Sequence, residues 1–78
     1  MAGQDWMDQG DEHRKQIVKF IREFTRSERI APTHREIADG VGLYKNSVQY
    51  HLKILADQGK IQYSPGKARS VRVVTRAR

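Results

Sequence analysis

Between residues 45 and 53 the chain carries Lys45, Asn46, Ser47, Gln49, Tyr50 and Lys53, with no acidic residue among them. Asn and Gln amides bond adenine edges bidentately, and Lys reaches guanine or phosphate. Tyr and Ser hydroxyls add contacts to backbone oxygens. Val48, Leu52 and Leu55 recur at i, i+4 and i+7 in the same stretch. A helix would bury that stripe and turn the polar set outward. Most surface helices have a polar face, but few keep it free of carboxylates. Asp57 is the first acid on this one, and it stands near the C-terminal end.

Two further groups belong with this set. Thr33, His34 and Arg35 open a short segment just before it, and Lys67, Arg69 and Arg72 lie in a turn-rich stretch after it. Arg69 is expected at the tip of a hairpin, inserted into a minor groove whose negative potential attracts Arg. Lys67 is expected on a phosphate. Arg72 alternates with Val71 and Val73 and should face outward. Simple solvation of a basic turn is the alternative for all three.

Positioning these groups requires a particular order of elements. Ile17, Ile21 and Phe24, widened by Val18 and Phe20, predict a helix over 11–28. Pro32-Thr33-His34-Arg35-Glu36 is a start signal in which Thr33 and Glu36 can satisfy each other's backbone N–H as a capping box. Ile37, Ala38 and Val41 form the apolar face of the helix that follows, and Gly40 and Gly42 stop it early. The third helix runs to about Gln58 before Gly59. Its start is open between Tyr44, a poor N-cap, and Asn46 with Gln49 three residues on. Ile61 and Tyr63 then alternate with Lys60 and Gln62, and Val71, Val73 and Val74 form the returning strand. Ser64-Pro65-Gly66-Lys67 between them suits a type II turn. The fold expected is mainly α with a small β-hairpin, a three-helix winged helix-turn-helix.

Composition narrows the function. The chain has 78 residues, a net charge of +6 and no cysteine. Residues 1–12 hold four acids and no Lys or Arg, so residues 13–78 hold 15 bases against 5 acids. Such a field attracts polyanions. Residues 1–10 read as a mobile acidic arm with Trp6 as its one bulky group, 11–75 as the binding domain and 76–78 as a basic tail. No apolar run reaches the roughly 20 residues of a membrane span. The N-terminus lacks a signal peptide's basic start and apolar stretch, so a cytoplasmic, nucleoid-associated protein is expected. His13, His34 and His51 are not spaced as metal ligands, and simple packing is the reading for His51. Ser27, Ser47, Ser64 and Ser70 lack a base and orienting acid at recognisable spacing. No glycine-rich phosphate loop is present. Neither catalysis, a metal, a cofactor nor a small-molecule substrate is expected. Tyr44 is a candidate for phosphate contact or for packing under the turn.

Pro32-Thr33-His34-Arg35-Glu36-Ile37-Ala38-Asp39-Gly40-Val41-Gly42-Leu43 resembles the helix-turn segment of the DNA-binding domain of LexA-type repressors. The likeness continues through His51-Leu52-Lys53-Ile54-Leu55, Gly59-Lys60-Ile61 and Ser64 to Val73, and covers roughly residues 13–74. The resemblance implies operator binding by a transcriptional repressor. The stretch from Gly42 to Leu52 is one residue shorter than the LexA-type pattern, so an operator sequence does not carry over. The self-cleaving domain of such repressors does not follow before Arg78, and the chain is read as a small stand-alone regulator or a piece of a longer one. The partner expected is double-stranded DNA. A single domain spans too little duplex to discriminate strongly, so two copies on paired half-sites are expected, with a weak or absent dimer in solution. A winged helix used for protein–protein contact and an RNA-binding module are the competing functions.

Overall fold

A computed structural model describes the backbone of residues 2–74 and the side chains of residues 10–74. The order is α1 (Ala2–Glu28), α2 (His34–Val41), α3 (Lys45–Asp57), β1 (Ile61–Gln62) and β2 (Arg72–Val73). The three-helix winged helix-turn-helix is therefore the fold. The expected start of the first helix at residue 11 is corrected, because the helical backbone already runs from Ala2. Gly10 does not interrupt it; one glycine costs a helix only about 1 kcal/mol. The Trp6 side chain and the basic tail at 76–78 lie outside the described residues.

One core joins all five elements. Ile17 and Ile21 of α1, Ile37 and Ala38 of α2, and Val48, Leu52 and Leu55 of α3 are buried together with Ile61 and Val71 of the hairpin. Each fully buried Ile, Leu or Val contributes about 1.5–3 kcal/mol. Phe20 packs at the edge of this cluster, over Gly40. A Cβ at Gly40 would fall on the Phe20 ring, so the absent side chain is what lets α1 approach α2 this closely.

Helix α2 is fixed at both ends. Thr33 Oγ1 accepts from the Glu36 N–H at 3.0 Å, and Glu36 Oε1 accepts from the Thr33 N–H at 2.9 Å. This is the capping box expected from the sequence. At the other end Gly42 takes φ 75°, a left-handed conformation, and its N–H and that of Leu43 both bond the Ala38 carbonyl. The chain can then reverse within two residues because Gly has no Cβ to clash there.

The start of α3 departs from the better of the two sequence alternatives. Tyr44 is the N-cap, with extended backbone and no side-chain cap bond, and its carbonyl accepts from Val48. Asn46 sits inside the first turn, so its amide is not consumed by capping. Tertiary packing of Val48 overrides local cap preference here. The helix closes where Gly59 and Lys60 donate to the carbonyls of Ala56 and Leu55.

The hairpin is antiparallel, with Ile61 opposite Val73 and Gln62 opposite Arg72. Its turn is closed by Lys67 N–H to Ser64 O at 3.0 Å, with Gly66 at φ 81° as a type II turn requires. Ser70 stitches the loop: its Oγ accepts from the Ser64 N–H at 2.9 Å, and its hydroxyl hydrogen is shared between the carbonyls of Lys67 and Ser64.

Candidate nucleic-acid interface

The outer face of α3 holds what the sequence places there. Lys45, Asn46, Gln49, Tyr50 and Lys53 are exposed and Ser47 is half-buried. Tyr44 resolves the choice left by the sequence: it stands 86% exposed at the leading end of the helix and does not pack under the turn. Helical spacing sets Lys45, Gln49 and Lys53 along one line and Asn46, Tyr50 and Lys53 along the next.

Three distant segments meet beside the leading end of α3. Thr33, His34 and Arg35 from the start of α2, Lys45 and Gln49 from α3, and Lys67 and Arg69 from the wing line one open cleft. Asn46, Ser47, Tyr50 and Lys53 lie outside that cleft, further around or along α3. The His34 ring packs edge-on against Tyr63 with centroids 5.8 Å apart. Burial pushes its pKa below 6.5, and the nearby Lys45 ammonium pushes it the same way. Both effects favour the neutral imidazole, and an anion bound beside it would act in the opposite direction.

Arg69 is placed differently from its expected role. Its guanidinium donates to the Ala31 carbonyl at 2.9 Å, to Glu36 Oε1 at 3.0 Å and to Glu36 Oε2 at 3.2 Å. Its backbone is left-handed, with φ 55°. The side chain turns back onto the start of α2 and does not project as a free finger. The Thr33 N–H, then Arg69, hold the Glu36 carboxyl below its usual range. The sequence reading assigned Glu36 to the cap and missed this second use. A bond spanning 33 residues leaves no local signal, though a carboxylate inside so basic a surface was a hint.

Arg72 does face outward, and its guanidinium donates to Gln62 Oε1 across the hairpin at 3.0 and 3.3 Å. That partner is neutral, so Arg72 keeps its full charge. On the far side of α3, His51 is 7% exposed. Its Nδ1 accepts from Arg14 at 3.2 Å, and Arg14 also donates to Asp11 at 3.0 Å. Burial lowers the His51 pKa, with Arg14 and His13 adding to the effect. The neutral ring with hydrogen on Nε2 fits this bonding, and packing is its role. Among the described residues no cluster of His, Cys, Asp or Glu could hold a metal ion, and no helix is long and apolar enough to cross a membrane.

Comparison with known proteins gives one family. Residues 7–70 match the family model described as the LexA DNA binding domain. A LexA repressor from Carboxydothermus hydrogenoformans is 41% identical over 61 residues, 77% of this chain and 30% of the relative. One from Cupriavidus metallidurans is 40% identical over 65 residues, 81% of this chain and 30% of the relative. One from Pseudomonas aeruginosa is 36% identical over 59 residues, 74% of this chain and 29% of the relative. The match thus spans about three-tenths of the length of these curated relatives.

Proposed function

Because the chain belongs to the family of LexA DNA-binding domains, we propose that it binds double-stranded DNA sequence-specifically and acts as a transcriptional repressor. The observation that carries this reading is the convergence of the α2 start, the leading turns of α3 and the wing turn on one cationic cleft. Asn46 and Gln49 read base edges in the major groove, with Lys45 and Lys53 reaching guanine or phosphate. Ser47 and Tyr50 supply hydroxyls to the backbone. Thr33, His34, Arg35 and Lys67 hold phosphates and fix the register, and Arg72 adds its charge along the wing. The reading places the protein in the cytoplasm, on the nucleoid, without catalysis of its own.

One recognition helix with one wing covers about half a turn to one turn of duplex. A half-site of that length discriminates weakly, so two copies bind a palindromic or directly repeated site. The test is selection from a random duplex pool, followed by fluorescence anisotropy on the selected duplex, a scrambled duplex, single-stranded DNA and RNA. The reading expects the selected duplex to bind at least tenfold more tightly than the others, with two proteins per site. Equal affinity for RNA and duplex, or no enrichment in the pool, overturns it.

A further inference from the structure

We propose that Glu36 and Arg69 form a clasp that sets the position of the wing against the helix-turn-helix, making both of them positioning residues for the DNA-reading surface. The functional half of this inference rests on the DNA-binding reading above.

Glu36 does two jobs with one carboxylate. Its Oε1 accepts from the Thr33 N–H at the start of α2 and from Arg69 Nη1, while Oε2 accepts from Arg69 Nη2. The fork is the preferred geometry of a guanidinium on a carboxylate. A third bond, from Arg69 to the Ala31 carbonyl, reaches the chain just ahead of Pro32. The wing needs such a fastening. Its strands have two residues each, too few to define a plane. Ile61 and Val71 anchor its base in the core with Tyr63 and Val73 packed against them, and all four flank the turn rather than hold it. Everything from Ser64 to Arg69 is exposed, so apolar packing does not hold the turn in place. The Ser70 bonds shape the loop internally but tie it to nothing outside the hairpin.

Arg69 also adopts a left-handed backbone that favours glycine. An arginine there is kept in place by what its side chain does. Ala68 and Lys67 precede it directly, so fixing Arg69 over α2 fixes the distance between Lys67 on one wall of the cleft and Lys45 and Gln49 on the other.

The charge of Glu36 gives the inference a decisive sign. Removing a negative charge from a cationic surface should tighten binding to a polyanion if the long-range field alone matters. A clasp demands the opposite. Glu36→Gln preserves the capping box, since Gln serves in that motif, but loses the ion pair. The expected result is that Glu36→Gln and Arg69→Ala each weaken the selected duplex at least fivefold. Arg69→Lys is expected to weaken it too, having lost the fork, and the double variant should be no worse than the poorer single one. On random duplex the salt slope of Arg69→Ala should equal that of the unaltered protein, because this charge is not spent on a phosphate. Tighter or unchanged binding of the selected duplex by Glu36→Gln, or a slope shallower by about 0.9 on random duplex in Arg69→Ala, overturns the clasp and returns Arg69 to direct contact.

A second measurement needs no DNA. Backbone 15N relaxation of the free protein should show order lost across Gly66–Ser70 in Glu36→Gln and Arg69→Ala, with α2 and α3 unchanged. Wing order that survives both substitutions overturns the clasp whatever the DNA data say. Failure of the unaltered protein to bind any duplex instead sinks the DNA-binding reading and, with it, the functional half of this one.

Discussion

Salt dependence is the sharpest quantitative consequence of the cleft. Arg35, Lys45 and Lys67 line it and Lys53 follows along α3; all four are exposed and in no ion pair among the described residues, whereas the exposed Arg72 lies beside Arg22 and Arg26 of α1. Arg69 is left out of the tally because Glu36 already neutralises it. Each phosphate neutralised contributes a slope of about −0.9 in log K against log salt, so four contacts give about −3.6 and a fall of about 150-fold between roughly 50 and 200 mM salt. Anisotropy titrations on a random duplex at four or five salt concentrations measure the slope directly. Lys67→Ala should make it shallower by about 0.9, equally on random and selected DNA. Lys19→Ala is the control, since Lys19 is exposed on α1 and lines no part of the cleft. A slope shallower than about −2, or an equal change from Lys19→Ala and Lys67→Ala, would mean that the cleft does not face the phosphates.

The other predictions concern base reading, backbone strain and pH. Gln49→Ala and Asn46→Ala should cost about 1–3 kcal/mol on the selected duplex and little on random DNA. Because Asn46 is not the cap, its loss should leave the melting temperature nearly unchanged, and a fall of several degrees would restore it to a structural role. Arg29 ends α1 with φ 64°; Arg29→Gly relieves that backbone and should stabilise the fold by about 0.5–1 kcal/mol, several degrees in a scan. A lowered melting temperature would show that the arginine side chain matters more. His34 and His51 both have folded pKa values pushed below the ordinary 6.5, first by burial. The unfolded chain therefore binds protons first, so the stability these neutral rings contribute is complete above 6.5 and drains away as pH falls below it. Melts taken from about pH 7.5 to about pH 5.5 should show a decline that His51→Gln reduces. A flat profile contradicts the assignment.

What was legible in the sequence was whatever repeats locally. The i, i+4, i+7 stripe of Val48, Leu52 and Leu55 gave the core face of α3, and all three are buried. Thr33 with Glu36 announced the cap, and Pro65-Gly66 the turn. The failures share a different cause. The N-terminal extent of α1 depends on how far a helix tolerates Gly10, where a cost of about 1 kcal/mol is set against the gain of continuing a formed helix. The start of α3 was decided by Val48 seating in the core, not by the better cap residue. The pairing of Arg69 with Glu36 left no local signal because the partners stand 33 residues apart.

That last case bears on how a domain this small can read DNA at all. Its apolar core is shared among five short elements, and most of it lies between the three helices. The helix-turn-helix is thereby rigid, held by Ile37 and Ala38 on one side of the Gly42 turn and by Val48 and Leu52 on the other. The wing has no comparable reserve of burial, and a longer apolar hairpin would present an exposed sheet edge liable to pair with other chains. Polar fastening solves the problem differently. It keeps the wing surface hydrophilic and cationic, and it uses for support a carboxylate that already has to be present to cap α2. The same arrangement makes the wing the most easily displaced part of the surface. Both partners of the ion pair keep 37–40% of their side-chain surface exposed, so salt weakens the fastening as it weakens the phosphate contacts. If the clasp holds the wing, part of the measured salt dependence comes from within the protein. Specific binding, which needs the wing in register, should then fall more steeply with salt than binding to random duplex.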